Sequence, residues 1–233
     1  MINKKAVLKA TIPYTIPVLT GYLCLGIAYG ILMDRMGFPL FWTLLASLFI
    51  YAGSMQFVTI SLLAAGFDPI GTFLMTLMVN ARHIFYGISM LKKYQGIGIL
   101  KPYLILALTD ETFSIVCSEE PPEGINRTWF YFFITLLNHL YWVTGSLLGG
   151  ILGSIITINT KGLDFALTAL FVVIFVNQWK STTNHLPALI GVLSAITCRL
   201  IFGSNDFIIP SMVTILILVT VLKKPIIRGK KKN

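Results

Sequence analysis

From Met36 to Phe67 the chain runs 32 residues without one charged side chain. As a single helix that stretch would be near 48 Å long. The hydrocarbon core of a bilayer is only about 30 Å thick. The stretch from Thr128 to Thr160 is similarly long and uncharged. Composition agrees: 56% of the residues are hydrophobic and 12% charged, where a soluble domain is about a quarter charged. Mean hydropathy is +0.82. These features describe an integral membrane protein, a single domain over 1–233, with no polar stretch able to build a second, soluble domain. Period-two alternation is absent, so the fold class is all-α, a polytopic transmembrane helical bundle rather than a barrel.

Eight apolar segments can be drawn, at 12–32, 39–65, 69–90, 102–118, 128–157, 164–179, 185–202 and 206–222. Pro39, Pro69, Pro102 and Pro187 lie near segment starts, where a missing N–H is tolerated. The two overlong segments hold internal glycines, Gly53 beside Ser54 in one and Gly145, Gly149, Gly150 and Gly153 in the other. Tilt can absorb the excess length, and so can an unwound turn at Gly53–Ser54. Paired interrupted segments, one in each half, mark repeat-built secondary transporters. At least one interrupted helix is therefore expected, although no internal sequence repeat is convincing.

The net charge of +9 comes from clusters that flank the segments: Lys4, Lys5 and Lys9; Lys92, Lys93 and Lys101; and a basic cytoplasmic tail at 223–233. This is the pattern that orients membrane helices, not a nucleic-acid-binding face. It also attracts anionic lipid heads. If all eight segments cross, both basic termini are cytoplasmic, but Lys92, Lys93 and Lys101 fall outside, against the positive-inside rule. Letting one segment re-enter gives seven spans, which repairs that loop and misplaces a terminus. Cys24, Cys117 and Cys198 are isolated, so neither a disulfide framework nor a zinc site is indicated. The run from Ala10 to Met33 is too long for the core of a signal peptide and reads as a retained first span.

An ionisable group at the centre of a membrane helix costs about 2.5–3.5 kcal/mol on insertion scales, so such groups are usually paired or line a wet cavity. Arg82 and His83 break the apolar run "TLMVNARHIFYGISM". Asn80 and His83 share a helix face, as do Arg82 and Tyr86. The simplest partner for Arg82 is Asp110 or Glu111, in "LTDETF". Two adjacent carboxylates point about 100° apart on a helix, so one can pair with Arg82 while the other serves a substrate or a proton. A snorkelling arginine and a purely structural ion pair are the alternatives. Asn138 and His139 read as an interhelical hydrogen-bonded contact, Asp164 as an N-cap or first-turn acid, and His185 and Arg199 as interfacial anchors. Tyr29, Tyr51, Trp42 and Trp142 read as packing or interface residues.

"YAGSMQFVTI" carries small residues at Ala52, Gly53 and Ser54. They allow a close helix approach, or they mark a broken helix whose free N–H groups hold a carboxylate. In the second reading Gln56 adds a neutral hydrogen-bonding group. A channel would need a continuous polar stripe, and the sequence offers islands. Ser54 with His83 or His139 makes no recognisable hydrolase, since neither a nucleophile elbow nor HExxH is present. The chain reads as a non-enzyme with no catalytic residue, cofactor or metal.

"YAGSMQF" at 51–57, "VNARHIFYG" at 79–87 and "LTDETF" at 108–113, in that order and spacing, resemble the AzlC family, and "GLDFALTALFVVIF" at 162–175 resembles the start of its C-terminal part. Met55 departs from the alanine the family often carries. The resemblance implies a large subunit of a secondary transporter, multi-pass in the prokaryotic cytoplasmic membrane. It implies export of leucine, isoleucine and valine, sometimes methionine, coupled to protons, with a small hydrophobic AzlD-type partner. On that reading the substrate carboxylate meets Arg82 or the Gly53–Ser54 turn, with Asn80 and Gln56 nearby. The ammonium meets Asp110 or Glu111, and Phe57, Phe113 and Tyr86 form an apolar pocket. Glu111 is favoured over Asp110 to carry the coupling proton, with His83 third. A transporter of a different small zwitterion, and a structural subunit whose partner holds the site, remain as alternatives.

Overall fold

The computed structural model describes residues 3–66, 68–80, 82–155 and 184–222, with 172, 175, 176, 179 and 180. It falls into two units, Met1–Leu167 and Thr168–Asn233. All regular structure among the described residues is helical. The first unit holds α1 (Lys4–Arg35), α2 (Leu40–Leu45), a π-helical turn (Ala46–Ile50), α3 (Gly53–Ala65), α4 (Pro69–Asn80), α5 (Arg82–Met90), α6 (Lys101–Leu106), α7 (Asp110–Ser118) and α8 (Arg127–Ile155). The second holds α9 (Leu186–Asp206) and α10 (Ile208–Val221).

The frame of the first unit is the pair α1 and α8. Asn3 starts α1 by accepting the Ala6 N–H at 3.2 Å. At 32 residues α1 is long and apolar enough to cross a bilayer. Lipid tails are as apolar as leucine, so membrane helices associate through close packing and hydrogen bonds rather than through water exclusion. The sequence meets that demand with glycine. Gly26 and Gly30 of α1 face Gly145, Ser146, Gly149 and Gly150 of α8, so closely that a Cβ on Gly30 would run into the Ser146 carbonyl and the Gly150 amide. The glycines of the 128–157 segment thus make a helix seam and not a break, since α8 is continuous over 29 residues.

Contacts along the seam show that the two helices run parallel. Lys4 Nζ lies 4.0 Å over the Trp129 ring, Thr15 meets Tyr141 at 3.1 Å, Tyr22 meets Trp142 edge-on, and Asp34 lies against Gly153. Both helices therefore start at one end, here the basic end.

Segment 39–65 does not traverse this frame. Leu40 lies over Gly150, near the opposite end. The chain then descends to His139, whose Nε2 is 3.2 Å from the Ser47 carbonyl and whose ring stacks on Tyr51 at 4.0 Å. It turns at Tyr51 and climbs again, Gln56 meeting Trp142 at 2.9 Å and Phe57 meeting Tyr29. The turn is built by the π-helix, closed by Tyr51 N–H to Ala46 O at 3.1 Å, and by Tyr51 itself in the left-handed region at φ 40°. The interruption falls at Tyr51–Ala52, two residues before the expected Gly53–Ser54, which instead open α3.

Segment 102–118 forms a second hairpin, entering from the basic end. Tyr103 of α6 lies by Phe132 and His139. The chain breaks at Ala107–Thr109. Helix α7 then returns to the basic end, where Lys93 donates to the Cys117 and Glu119 carbonyls at 3.2 and 2.9 Å. Thr109 caps α7 by accepting the Thr112 N–H, and Asp110 and Glu111 fill its first turn, where the helix dipole favours anions. Irregular backbone is tolerated at membrane depth only inside protein, and Tyr51, Ala107, Leu108 and Thr109 are all buried.

Two of the eight drawn segments, 39–65 and 102–118, are therefore hairpins rather than straight spans. The same folding brings the N-terminal basic cluster and the cluster of Lys92, Lys93 and Lys101 to one end of the first unit. Helices α4 and α5 run from the opposite end to the basic end, where Met90 packs with Val7, Tyr94 and Phe130. Lys4, Lys5, Lys92, Lys93, Lys101 and Arg127 then share one end. Segment 164–179, apart from Val172, Phe175, Val176 and Trp179, and tail 223–233 lie outside the described residues, as do the N-cap role of Asp164 and most of the 162–175 motif.

Lys93 also pairs with Glu120 at 3.0 Å, and Tyr131 donates to Glu120 at 3.0 Å. The Lys93 ammonium, then the Tyr131 hydroxyl, hold the Glu120 carboxyl below the usual carboxylate range. Glu120 is largely exposed, so solvent screening leaves these bonds worth about 1.5 kcal/mol together. Lys93→Met should accordingly speed cleavage by a Glu-specific protease in the 119–126 loop by roughly tenfold, with the rest of the chain as resistant as before.

In the second unit, Asn184 Oδ1 accepts the Leu186 N–H at 3.1 Å to start α9. The stretch Leu186–Gly203 is apolar enough to cross a bilayer. Gly203, at φ 80°, bends the end of α9 toward α10. Cys198 faces Thr214, and Arg199 lies over Phe207.

Candidate functional site

The second halves of both broken helices begin at the same place. Ser54 lies in the first turn of α3 and Asp110 in the first turn of α7, and Arg82 joins them. Its guanidinium reaches Ser54 Oγ at 2.9 Å and Asp110 Oδ2 at 2.6 Å. Arginine suits this post because its planar fork holds two acceptors at fixed angles. The side chains of Arg82 and Asp110 are 28% and 24% exposed, so the pair is shielded but reachable. Arg82 Nε and Asp110 Oδ1 are buried and meet no hydrogen-bond partner among the described residues. The site therefore keeps a donor and an acceptor unused beside its ion pair. The first N–H groups of α3 add to this, because its cap residue, Ala52, has no side chain to satisfy them.

Glu111 turns the other way along α7. Tyr22 of α1 donates to its carboxylate at 2.7 Å and meets Thr109 at 2.6 Å. Thr109 in turn meets Thr112 at 3.0 Å, and the Asn138 amide donates to Thr112 at 3.0 Å. One carboxylate is thus tied to the arginine, and the next to a neutral hydroxyl chain that ends on α8.

The remaining residues divide. His83 Nδ1 faces the Asn80 carbonyl at 3.2 Å, so that nitrogen carries the proton; Asn80 joins the site through its backbone. Tyr86 stacks on Phe113 at 4.3 Å, and His83 lies edge-on to Tyr86. Phe57 is not with them: it packs on Tyr29. Gln56 is buried on the far face of α3, accepting from Trp142 Nε1 and donating to Ser47 Oγ at 3.3 Å. Gly53 is seated against the Trp142 ring. The structure thus brings Ser54, Arg82 and Asp110 together, sets Glu111, His83 and Tyr86 around them, and leaves Gln56 and Phe57 on another face. Sequence reasoning passed over Tyr22, Thr109, Thr112 and Asn138 as site residues. Thr109 carried a usable signal, a cap residue followed by two acids.

Fold and site together define a helical membrane protein with two half-helix N-termini converging on a shielded ion pair. Residues 17–156 match the family model described as AzlC protein, and the chain belongs to the AzlC family. It is 50% identical over 221 residues to "Branched-chain amino acid transport protein AzlC" of Bacillus subtilis, covering 95% of this chain and 87% of that protein. It is 44% identical over 214 residues to "Uncharacterized membrane protein" of Haemophilus influenzae, covering 91% and 87%. It is also 40% identical over 216 residues to a protein of the same description from Helicobacter pylori, covering 93% and 95%. No solved structure matches.

Proposed function

We propose that the chain is the large subunit of a secondary transporter that exports the branched-chain amino acids leucine, isoleucine and valine, with methionine as a candidate further substrate, across the prokaryotic cytoplasmic membrane, coupled to protons and working with a small AzlD-type subunit. The Bacillus subtilis relative supports the substrate class by its description. The observation that carries the reading is Arg82, suspended between Ser54 and Asp110 at the starts of two half-helices. An α-amino acid is a zwitterion. Entering between these side chains, it exchanges one ion pair for two: its carboxylate takes Arg82 and the free N–H groups of α3, and its ammonium takes Asp110. Glu111, screened behind Tyr22, is the group that exchanges the coupling proton. The stacked pair Tyr86 and Phe113 supplies apolar surface for the substrate side chain. Lysines gathered at one end make that end cytoplasmic.

Efflux tests this reading. Cells preloaded with a leucine-containing dipeptide should lose internal leucine when the chain is expressed with its small subunit. The chain alone, and the pair carrying Arg82→Ala, should not lower it. If the well-expressed pair moves no leucine, the substrate assignment falls.

A further inference from the structure

Resting on the transporter reading, we infer that hairpins α2–α3 and α6–α7 are the two gates of the pathway, and that His139 is the positioning residue that keeps them from opening together. The hairpins enter from opposite ends and meet at the site. Each follows a long segment running toward the end from which that hairpin enters: α1 before the first, α4–α5 before the second. The order is the same in inverted sense, as in transporters built from inverted repeats. The α1–α8 frame is locked backbone to backbone through glycines, so movement falls to the hairpins.

His139 stands on that frame and holds both. Its Nε2 faces a carbonyl, Ser47 O, and must donate. In the neutral ring Nδ1 is then an acceptor, and the Tyr103 hydroxyl at 3.1 Å donates to it. Tyr51, the strained tip of the first hairpin, stacks on the same ring at 4.0 Å. One imidazole thus ties the π-turn and tip of the first hairpin and the entering arm of the second. Swinging out one hairpin breaks one hydrogen bond and leaves the ring oriented by the other. Swinging out both strips both nitrogens of their partners and leaves the ring with nothing to orient it, so the second opening costs more than the first and the doubly open, leaking state is suppressed.

The test uses the full chain with Cys24, Cys117 and Cys198 replaced by alanine and a single cysteine at Ala52 or at Ala107, in sealed membranes treated with an impermeant maleimide from either side. Ala52→Cys should react from the side of the opposite end and Ala107→Cys from the basic side. Adding His139→Leu should make both react from both sides, about tenfold faster, the effect of one net hydrogen bond. His139→Gln keeps one donor and one acceptor and should restore sidedness. Tyr103→Phe removes a single bond and should speed only Ala107→Cys, which keeps the test decisive if His139→Leu fails to fold. Reaction of both cysteines from both sides without any change at His139, or unaltered rates in His139→Leu or Tyr103→Phe, would overturn the inference. Sidedness is read without substrate, so a wild-type pattern with no leucine flux would leave the gates standing and remove the substrate assignment.

Discussion

Arg82→Ala should abolish leucine efflux while leaving the protein folded and in the membrane at slightly reduced amount. The reason is the position of Arg82 between two half-helices. Its removal leaves Asp110 shielded and unpaired, and breaking a buried pair in this way costs about 3–5 kcal/mol. With both side chains about a quarter exposed, the low end applies, near ~3 kcal/mol of stability; transport is lost because the substrate carboxylate loses its cation. Arg82→Lys keeps the charge but cannot hold Ser54 and Asp110 together, and should retain only weak efflux. Combining Arg82→Ala with Asp110→Ala should recover the amount of folded protein without recovering transport. That pattern, read by quantitative blotting beside efflux, separates a binding residue from a brace. Normal efflux in Arg82→Ala would remove it from the site.

Gly30→Leu should prevent assembly of the first unit altogether. A side chain there would overlap backbone atoms of Ser146 and Gly150, and backbone in a continuous helix cannot step aside as a flexible side chain can. Overpacking a core costs about 1–3 kcal/mol where neighbours relax; here they cannot, so the helices must separate. Gly30→Ala should already lower the Tm of detergent-purified protein by several degrees. Gly21→Ala is the control: nothing lies within 4 Å of a Cβ built there, and alanine is the better helix former by about 1 kcal/mol. Monodisperse elution and unchanged Tm in Gly30→Leu would show that α1 and α8 are not the close parallel pair described.

How far the sequence could be read depended on the kind of constraint. Uncharged runs longer than a bilayer announced helices and an interruption, because length and hydropathy act locally. Arg82 announced a carboxylate partner, because an unpaired charge there is too costly. Which carboxylate it would be was not legible, since Asp110 and Glu111 are adjacent, and the choice depends on where α7 starts. The hairpins were also hidden. Segment 102–118 has the hydropathy of a span, and only the cap of Thr109 with its two acids shows that a helix begins in mid-segment. Tyr51 gives no warning at all: left-handed backbone at a tyrosine is held by its ring on His139, 88 residues away in sequence. The α8 glycines read as weak points because their partners on α1 lie over a hundred residues earlier.

The pairing of Arg82 with Asp110 has an electrical consequence. The two charges cancel, and a zwitterion placed between them adds none, so empty and loaded pockets carry the same charge. A membrane potential does work only on net charge moved, about 2.3 kcal/mol per elementary charge per 100 mV. In the proposed cycle the substrate step is therefore electroneutral, and the voltage acts solely through whatever ion Glu111 exchanges.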